Sequence, residues 1–441
     1  MIRRSKRKQA PRQVRRAIPP PAPFWRLRLS SQFGQELLEE LADDPSLAWE
    51  LWLAARRVRR WIEARGAARR SPGIVAREHV DHLFDPSAAD NDDIGDRLAF
   101  LMALALSASA GDVGSACAAV CEWAEANDRK ETRLQFAELA ARADADNPAR
   151  ANKAGRVCRE AGLYDRAELW FERGYRFAVR IGARDEAVRA LLGNGALMKE
   201  RGRFSQARRW FLKGARRARR TGRKRLAAEA HHDLLTLAAE RGNLAEVIEH
   251  ASAAVEMYPL NNPRLPYLAH DFAFVLIRMR LYSVALPLFE NFLKVIPPHE
   301  LLPGLSTFGW AAAGCGLVHR YEDAERRTLK RLQIDPHKAA ACFIHLAEGA
   351  RLLGRWPQAE TYAAQALSAA IERGQRELER EARALLSLVR SRVPSQPPRP
   401  GERPELKPLL RFFALRLRRW KGRPDRTVGG GEGKRAAGEE G

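Results

Sequence analysis

The residues best suited to chemistry in this chain of 441 residues are two His-Asp pairs, His232-Asp233 and His270-Asp271, and two cysteines one helical turn apart, Cys117 and Cys121. A carboxylate beside an imidazole orients the ring and sets its tautomer, which acid–base and metal sites exploit. Neither pair has the rest of such a site. The chain holds no HExxH, no GxSxG and no phosphate-cradling glycine loop. Cys117 and Cys121 lack a second Cys/His pair at zinc spacing and read as core residues. The reading is therefore no catalytic residue, no metal site, no cofactor and no enzyme. The histidines are polar residues lining a recognition surface. Five cysteines, an odd number in a long chain, fit reduced thiols and a cytoplasmic location.

A second chemistry is anion binding. Residues 201–225 carry twelve Arg/Lys and no acid. Arg208, Arg209, Lys213, Arg216, Arg217, Arg219 and Arg220 form a candidate anion patch, in which guanidinium groups meet phosphates. The competing reading is a solvated helix face, since these charges spread more than half-way round a helix. No helix-turn-helix motif for DNA accompanies them. The net charge of +23 sits mainly in the tails: residues 1–30 hold ten Arg/Lys and no acid, and 391–441 hold 13 bases and 6 acids. The 360 residues between them carry only +6. Nucleic acid and an anionic membrane surface both remain candidate partners. The N-terminus has a basic start, but IPPPAP at 18–23 stands where a signal peptide needs an apolar run. No stretch is apolar enough to span a membrane.

A third candidate is KPLLRFFALRLRRWK at 407–421, which mixes Leu, Phe and Trp with Arg. It can dock on protein, lie on an anionic membrane or cap the fold. Because apolar residues occur almost all round it, docking on protein ranks first.

The elements that position these residues are helices. Arg and Ala are abundant and β-branched residues few, and helical spacing runs nearly unbroken from Ile94 to Val393. Asp44, Pro45 and Ser46 start a helix that carries Trp49, Trp52 and Trp61, and another helix is expected at 73–85. The acidic stretch 85–93 reads as a loop. A pattern then recurs: a small residue, an aromatic two positions on, Ala three further and an aromatic four further. Its copies are Gly162-Tyr164-Ala167-Phe171, Gly202-Phe204-Ala207-Phe211, Gly242-Leu244-Val247-Ala251, Arg280-Tyr282-Ala285-Phe289, His319-Tyr321-Ala324-Thr328 and Gly354-Trp356-Ala359-Ala363. Pro259, Pro297 and Pro336 stop helices after three of them. Gly155 and Gly195 lie seven residues before turn glycines, and Gly111, Val113 and Ala116 suggest a degenerate leading unit.

This pattern resembles the tetratricopeptide repeat (TPR) family, whose unit is a helix–turn–helix hairpin. The period of 35–40 exceeds the family's 34, which calls for longer helices, and the family's first-helix Trp is absent. The resemblance implies an all-α, right-handed helical-hairpin solenoid with basic disordered tails. The expected layout is a basic arm (1–30), an N-terminal helical region (31–93), a degenerate repeat or capping helices (94–147), about six repeats (148–372), a C-terminal capping helix (373–393), and a Pro-rich linker, short basic helix and tail (394–441). The resemblance further implies that first helices line a concave groove for peptides. The matching positions are Asn152, Arg156, Arg159, Lys199, His232 and His270. Ala313, Leu317 and Ile344 would make the later groove more apolar.

The expected function is a non-catalytic scaffold or adaptor that binds a protein or peptide, one with an acidic character suiting the early groove. A nucleic-acid-associated regulator using 201–225 and the N-terminal arm is one alternative. A membrane-peripheral scaffold using 407–421 is another.

Overall fold

The computed structural model describes residues 35–70, 94–105, 107–296, 301–334, 336–373, 375–394 and 403–420, and these contain helices and turns but no strand. The basic tails, the helix expected at 73–85, the loop at 85–93 and most of the Pro-rich linker lie outside the described residues. The chain divides into two compact units, the first ending at Gly214 and the second starting at Ala215.

The first unit contains α1 (Gln35–Glu40), α2 (Pro45–Arg70), α3 (Ile94–Met102), α4 (Ala110–Ala126), α5 (Lys130–Ala143), α6 (Pro148–Glu160), α7 (Tyr164–Ile181) and α8 (Arg184–Glu200). Helix α9 (Phe204–Arg220) carries the boundary. Consecutive helices pack as hairpins, and α6 also packs directly on α8. Their turns share one device. Gly162, Gly182, Gly202, Gly222 and Gly242 all have φ between +65° and +75°, and they fall every 20 residues. A left-handed residue follows each of the helices α6 to α9 and the helix that begins at Lys224, and reverses the chain, and glycine adopts it without a Cβ clash. Helices of about 17 residues joined by such turns account for the 40-residue period.

The N-terminal helices close this unit. The Glu40 carboxylate accepts hydrogen bonds from the backbone N–H groups of Glu131 (2.7 Å) and Thr132 (2.9 Å). Helix α5 has no side-chain cap of its own, so Glu40 fills that role from α1. Trp61 on α2 donates to the carbonyl of Ala105 at 3.0 Å.

The second unit contains α10 (Lys224–Glu240), α11 (Leu244–Met257), α12 (Arg264–Arg278), α13 (Tyr282–Val295), α14 (Leu301–Gly314), α15 (Val318–Leu332), α16 (Ala339–Leu352), α17 (Trp356–Glu372), α18 (Arg376–Arg390) and α19 (Lys407–Arg418). The first helices of successive hairpins touch in series: α10 on α12, α12 on α14, α14 on α16 and α16 on α18. One hairpin cannot bury its own apolar face, so the series carries the core. Leu268, Phe272, Leu276 and Phe289 lie at its centre, all fully buried. Helix α18 packs on α16 and α17, where a C-terminal cap is expected.

Two repeat assignments need correction. The leading hairpin is α4–α5, and its turn is at Asp128 (φ +54°), whereas Gly111 lies in the first turn of α4. Asp is among the few residues that tolerate the left-handed conformation, so the turn carries no glycine signal. The fifth copy is displaced by three residues, because its turn residue is Gly316 (φ +70°) and not His319, which lies inside α15. Tyr321 and Ala324 are both fully buried, so either register satisfies the apolar pattern and only the turn decides.

Candidate functional site

The residues that converge in the second unit lie on its first helices. His232 on α10 and His270 on α12 occupy equivalent places, and one carboxylate receives both. Asp271 accepts from His232 Nε2 at 2.9 Å and from His270 Nδ1 at 3.0 Å. The other ring nitrogen of His270 faces Thr307 Oγ1 on α14 at 3.3 Å. One helix further, His345 Nδ1 on α16 lies 2.9 Å from Ser306 Oγ on α14. A polar seam thus runs from α10 to α16. It arises because residues 39 apart, such as 232 with 271 and 306 with 345, fall on stacked equivalent helices. Burial would raise the Asp271 carboxyl, but the two histidines outweigh it and hold the group well below the ordinary carboxylate range. Burial, aided by His270, pushes His345 down to about 3, so this ring is neutral at pH 7.

Aromatic rings follow the same seam. Phe274 stacks parallel to His270 at 6.4 Å, meets Trp310 edge-on at 6.0 Å and lies 5.6 Å from His345. Trp310 and His345 are stacked at 5.8 Å. Phe274, Trp310 and His345 are all half-buried, so the cluster presents part of its surface. Trp310 exposes part of its ring while its indole nitrogen is buried. Sequence reasoning places the apolar part of the groove at Ala313, Leu317 and Ile344. Ala313 and Ile344 are instead buried core, and Leu317 caps α15. Phe274 lies one helical turn beyond His270, a step the sequence could have shown.

The Ser306–His345 pair does not present a nucleophile: Ser306 is fully buried and its hydroxyl donates to the Pro303 carbonyl at 3.0 Å. Among the described residues no group of three His, Cys, Asp or Glu can hold a metal ion. Cys117, Cys121, Cys158 and Cys342 are buried free thiols, and burial raises Cys121 to about 11.

In the first unit, the predicted groove residues divide. Asn152 is buried, donates to the carbonyl (2.9 Å) and carboxylate (2.9 Å) of Glu186, and lies against Gly174. It joins α6 to α7 and α8. Arg156 is exposed, with Glu125 at 3.6 Å and Glu160 at 3.9 Å. Arg159 pairs with Glu200 and Glu160. Lys199 is half-buried near the end of α8. Arg133 pairs with Glu125 (2.9 Å) and Glu160 (2.7 Å), beside an open cavity of about 260 Å³ that Lys130 and Val157 also line. The cations here are balanced by the chain's own carboxylates.

The basic run forms α9. Arg209, Lys213, Arg216, Arg219 and Arg220 are exposed, and Arg208 and Arg217 are half-buried. Lys213 sits 4.9 Å over the Trp210 ring. Arg219 lies 2.9 Å from His231 Nε2. Guanidinium can only donate, so Nε2 accepts and the His231 proton sits on Nδ1, facing His250 at 3.4 Å. Burial, then Arg219 and His250, push His231 down to about 4.

Helix α19 docks on its own unit against α11, α12 and α13. Leu406, Leu409, Phe413 and Leu417 are buried there, and Phe413 stacks on Phe272 at 5.3 Å. Trp420 Nε1 donates to the Asn262 carbonyl at 2.9 Å, and Arg416 donates to that of Tyr258.

No family model matches the chain, and no curated protein does. Solved structures with similar folds include the apo form of RapI, at 13% identity and a TM-score of 0.42, covering 62% of this chain and 96% of that one. The Cut9–Hcn1 hetero-tetramer of the APC/C gives 13% identity and a TM-score of 0.42, covering 78% of this chain and 63% of that one. The TPR2AB domain of yeast Sti1 bound to an Hsp90 peptide gives 13% identity and a TM-score of 0.24, over 55% and 98% of the two chains. The chain's own geometry, with paired helices, left-handed turns at 20-residue steps from Gly162 to Gly242 and first helices stacked in series, is that of a helical-hairpin repeat array, the kind of fold that tetratricopeptide repeats adopt.

Proposed function

We propose that the chain is a non-catalytic scaffold that binds a protein or peptide partner on the first helices of its second unit. The observation that carries this reading is the half-buried cluster of Phe274, Trp310 and His345, held in place by the His232–Asp271–His270 seam. Rigid aromatic anchors beside fixed polar groups supply affinity and register together. An acidic ligand at Arg156 and Arg159 has to compete with Glu125, Glu160 and Glu200, which favours the second unit as the main surface. Reduced thiols fit action in the cytoplasm, and no helix among the described residues is long and apolar enough to cross a membrane. The test is crosslinking and affinity capture with the parent and with Phe274→Ser/Trp310→Ser. Loss of specific partners by the variant is expected; capture of the same partners by both chains defeats the reading.

A second reading, contact with a polyanion through α9, is favoured by the exposure of Arg216 and Arg220. Arg216→Glu/Arg220→Glu should weaken oligonucleotide binding and flatten its salt dependence by about 1.5 in log–log slope, at roughly 0.7–0.9 per lost phosphate contact. Equal slopes for parent and variant dispose of it.

A further inference from the structure

We propose that the outward face of α19 is an adsorption site for an anionic lipid surface. The sequence of this helix is apolar almost all round, which argues against a membrane-surface helix. The fold resolves that objection by turning Leu406, Leu409, Phe413 and Leu417 inward, where they are at most 6% exposed. What remains outside is a separate face on which cations and two apolar side chains alternate. Lys407, Arg411, Arg418 and Arg419 are exposed on it, and between them stand Phe412 (37% exposed) and Leu415 (43% exposed). From Leu406 to Trp420 there is no acidic residue.

The inward anchors also fix the orientation. The Phe272–Phe413 stack and the Trp420–Asn262 hydrogen bond hold the helix on α11–α13, so its cations and apolar tips point one way without a partner to order them. Ordering has thus been completed on folding, and adsorption costs less conformational entropy than for a free peptide. Guanidinium groups meet lipid phosphates while a Phe and a Leu enter the headgroup boundary. A nucleic acid is the other polyanion that four cations attract. Phe412 offers a base a ring to stack on, but Leu415 beside it does not, and an aliphatic tip is what a lipid interface receives.

The full-length chain would be sedimented with vesicles of phosphatidylcholine alone and of phosphatidylcholine mixed with phosphatidylserine. Binding to the mixed vesicles only is expected. Arg411→Gln/Arg418→Gln/Arg419→Gln should lower partitioning on the order of 100-fold. Phe412→Ser/Leu415→Ser should lower it roughly 10-fold. All five side chains are exposed, so melting curves should match the parent. Because the tails are also basic, parent-like partitioning by either variant means that the tails carry the binding, and overturns the proposal. Leu415→Cys labelled with a polarity-sensitive dye should blue-shift on the mixed vesicles; an unchanged spectrum overturns it too. So does loss of single-stranded oligonucleotide binding by both variants with no vesicle binding by the parent.

Discussion

Gly155 on α6 lies directly against the ring of Phe171 on α7: a Cβ added there would stand 2.8 Å from Phe171 Cδ1. Gly195 stands in the same relation to Phe211 one repeat later. The two helices of a hairpin therefore meet backbone to ring, and the aromatic fills the space that the missing side chain leaves. Phe171 is 2% exposed and touches α8 as well, through Gly193, so it has no room to retreat. Gly155→Ala should cost about 1–3 kcal/mol through overpacking, partly offset by the helix preference of Ala, about 1 kcal/mol. Denaturant unfolding checks this, and Phe171→Leu in the same chain should recover part of the loss through coupling.

Arg280, like Asp128, makes its turn without glycine. It has φ +63°, a conformation that the equivalent residues Gly162, Gly202 and Gly242 reach without strain. A side chain there costs roughly 1–2 kcal/mol. Arg280→Gly should therefore raise stability by about 0.5–1 kcal/mol, the gain being reduced by greater freedom of the unfolded chain. A thermal melt of the single variant shows it as a raised Tm; a lowered Tm means that contacts of the Arg280 side chain outweigh the strain.

These two positions show why much of the fold is legible in the sequence and part of it is not. A left-handed turn that uses glycine leaves a visible mark, and a small residue under an aromatic leaves another. The turn mark repeats at 40 residues through Gly162, Gly202 and Gly242. Where Asp128 makes the same turn, the mark vanishes, and the sequence points to Gly111 instead. Where Tyr321 and Ala324 are buried together, two registers look alike. The site is legible only in outline. Equal spacing brings His232 and His270 together, but which acid serves both depends on helix rotation, and Asp271 takes both while Asp233 does not. Surface cations give least: Arg156 and Arg159 can be placed on α6, yet Glu125, Glu160 and Glu200 come from α4, from α6 itself and from α8, and only packing joins them.

Acid should loosen the second unit through two histidines that burial holds neutral. His231, 6% exposed, is held down to about 4, and His345 to about 3. In the unfolded chain both titrate near 6.5. Above that pH neither state binds a proton and stability is unaffected. As pH falls through 6.5 the unfolded chain takes up protons that the folded one refuses, so stability declines until the folded values are reached. Between pH 7 and pH 5 the loss should be of order 1–2 kcal/mol per site. Melting curves across that range should slope downward for the parent and flatten for His231→Gln/His345→Gln. A parent slope that survives in the double variant assigns the acid sensitivity elsewhere.

Helix α19, the last among the described residues, is part of the core of the second unit rather than an appendage, and its removal should be felt there. Phe413 is fully buried and stacked on Phe272, itself fully buried on α12. Helices α11, α12 and α13 all meet α19, so the site around Phe413 is walled by several elements that cannot collapse together if the ring is cut back. Phe413→Ala should cost about 3–5 kcal/mol, the usual range for emptying a buried aromatic site. Phe412→Ala, one position away and 37% exposed, should cost less than about 0.5 kcal/mol. Urea unfolding of the two variants in parallel separates a docked helix from a loose one. Equal and small effects mean that α19 is held by its chain connection and not by its contacts, whereas the expected difference shows that the face left outside is presented by a fixed support.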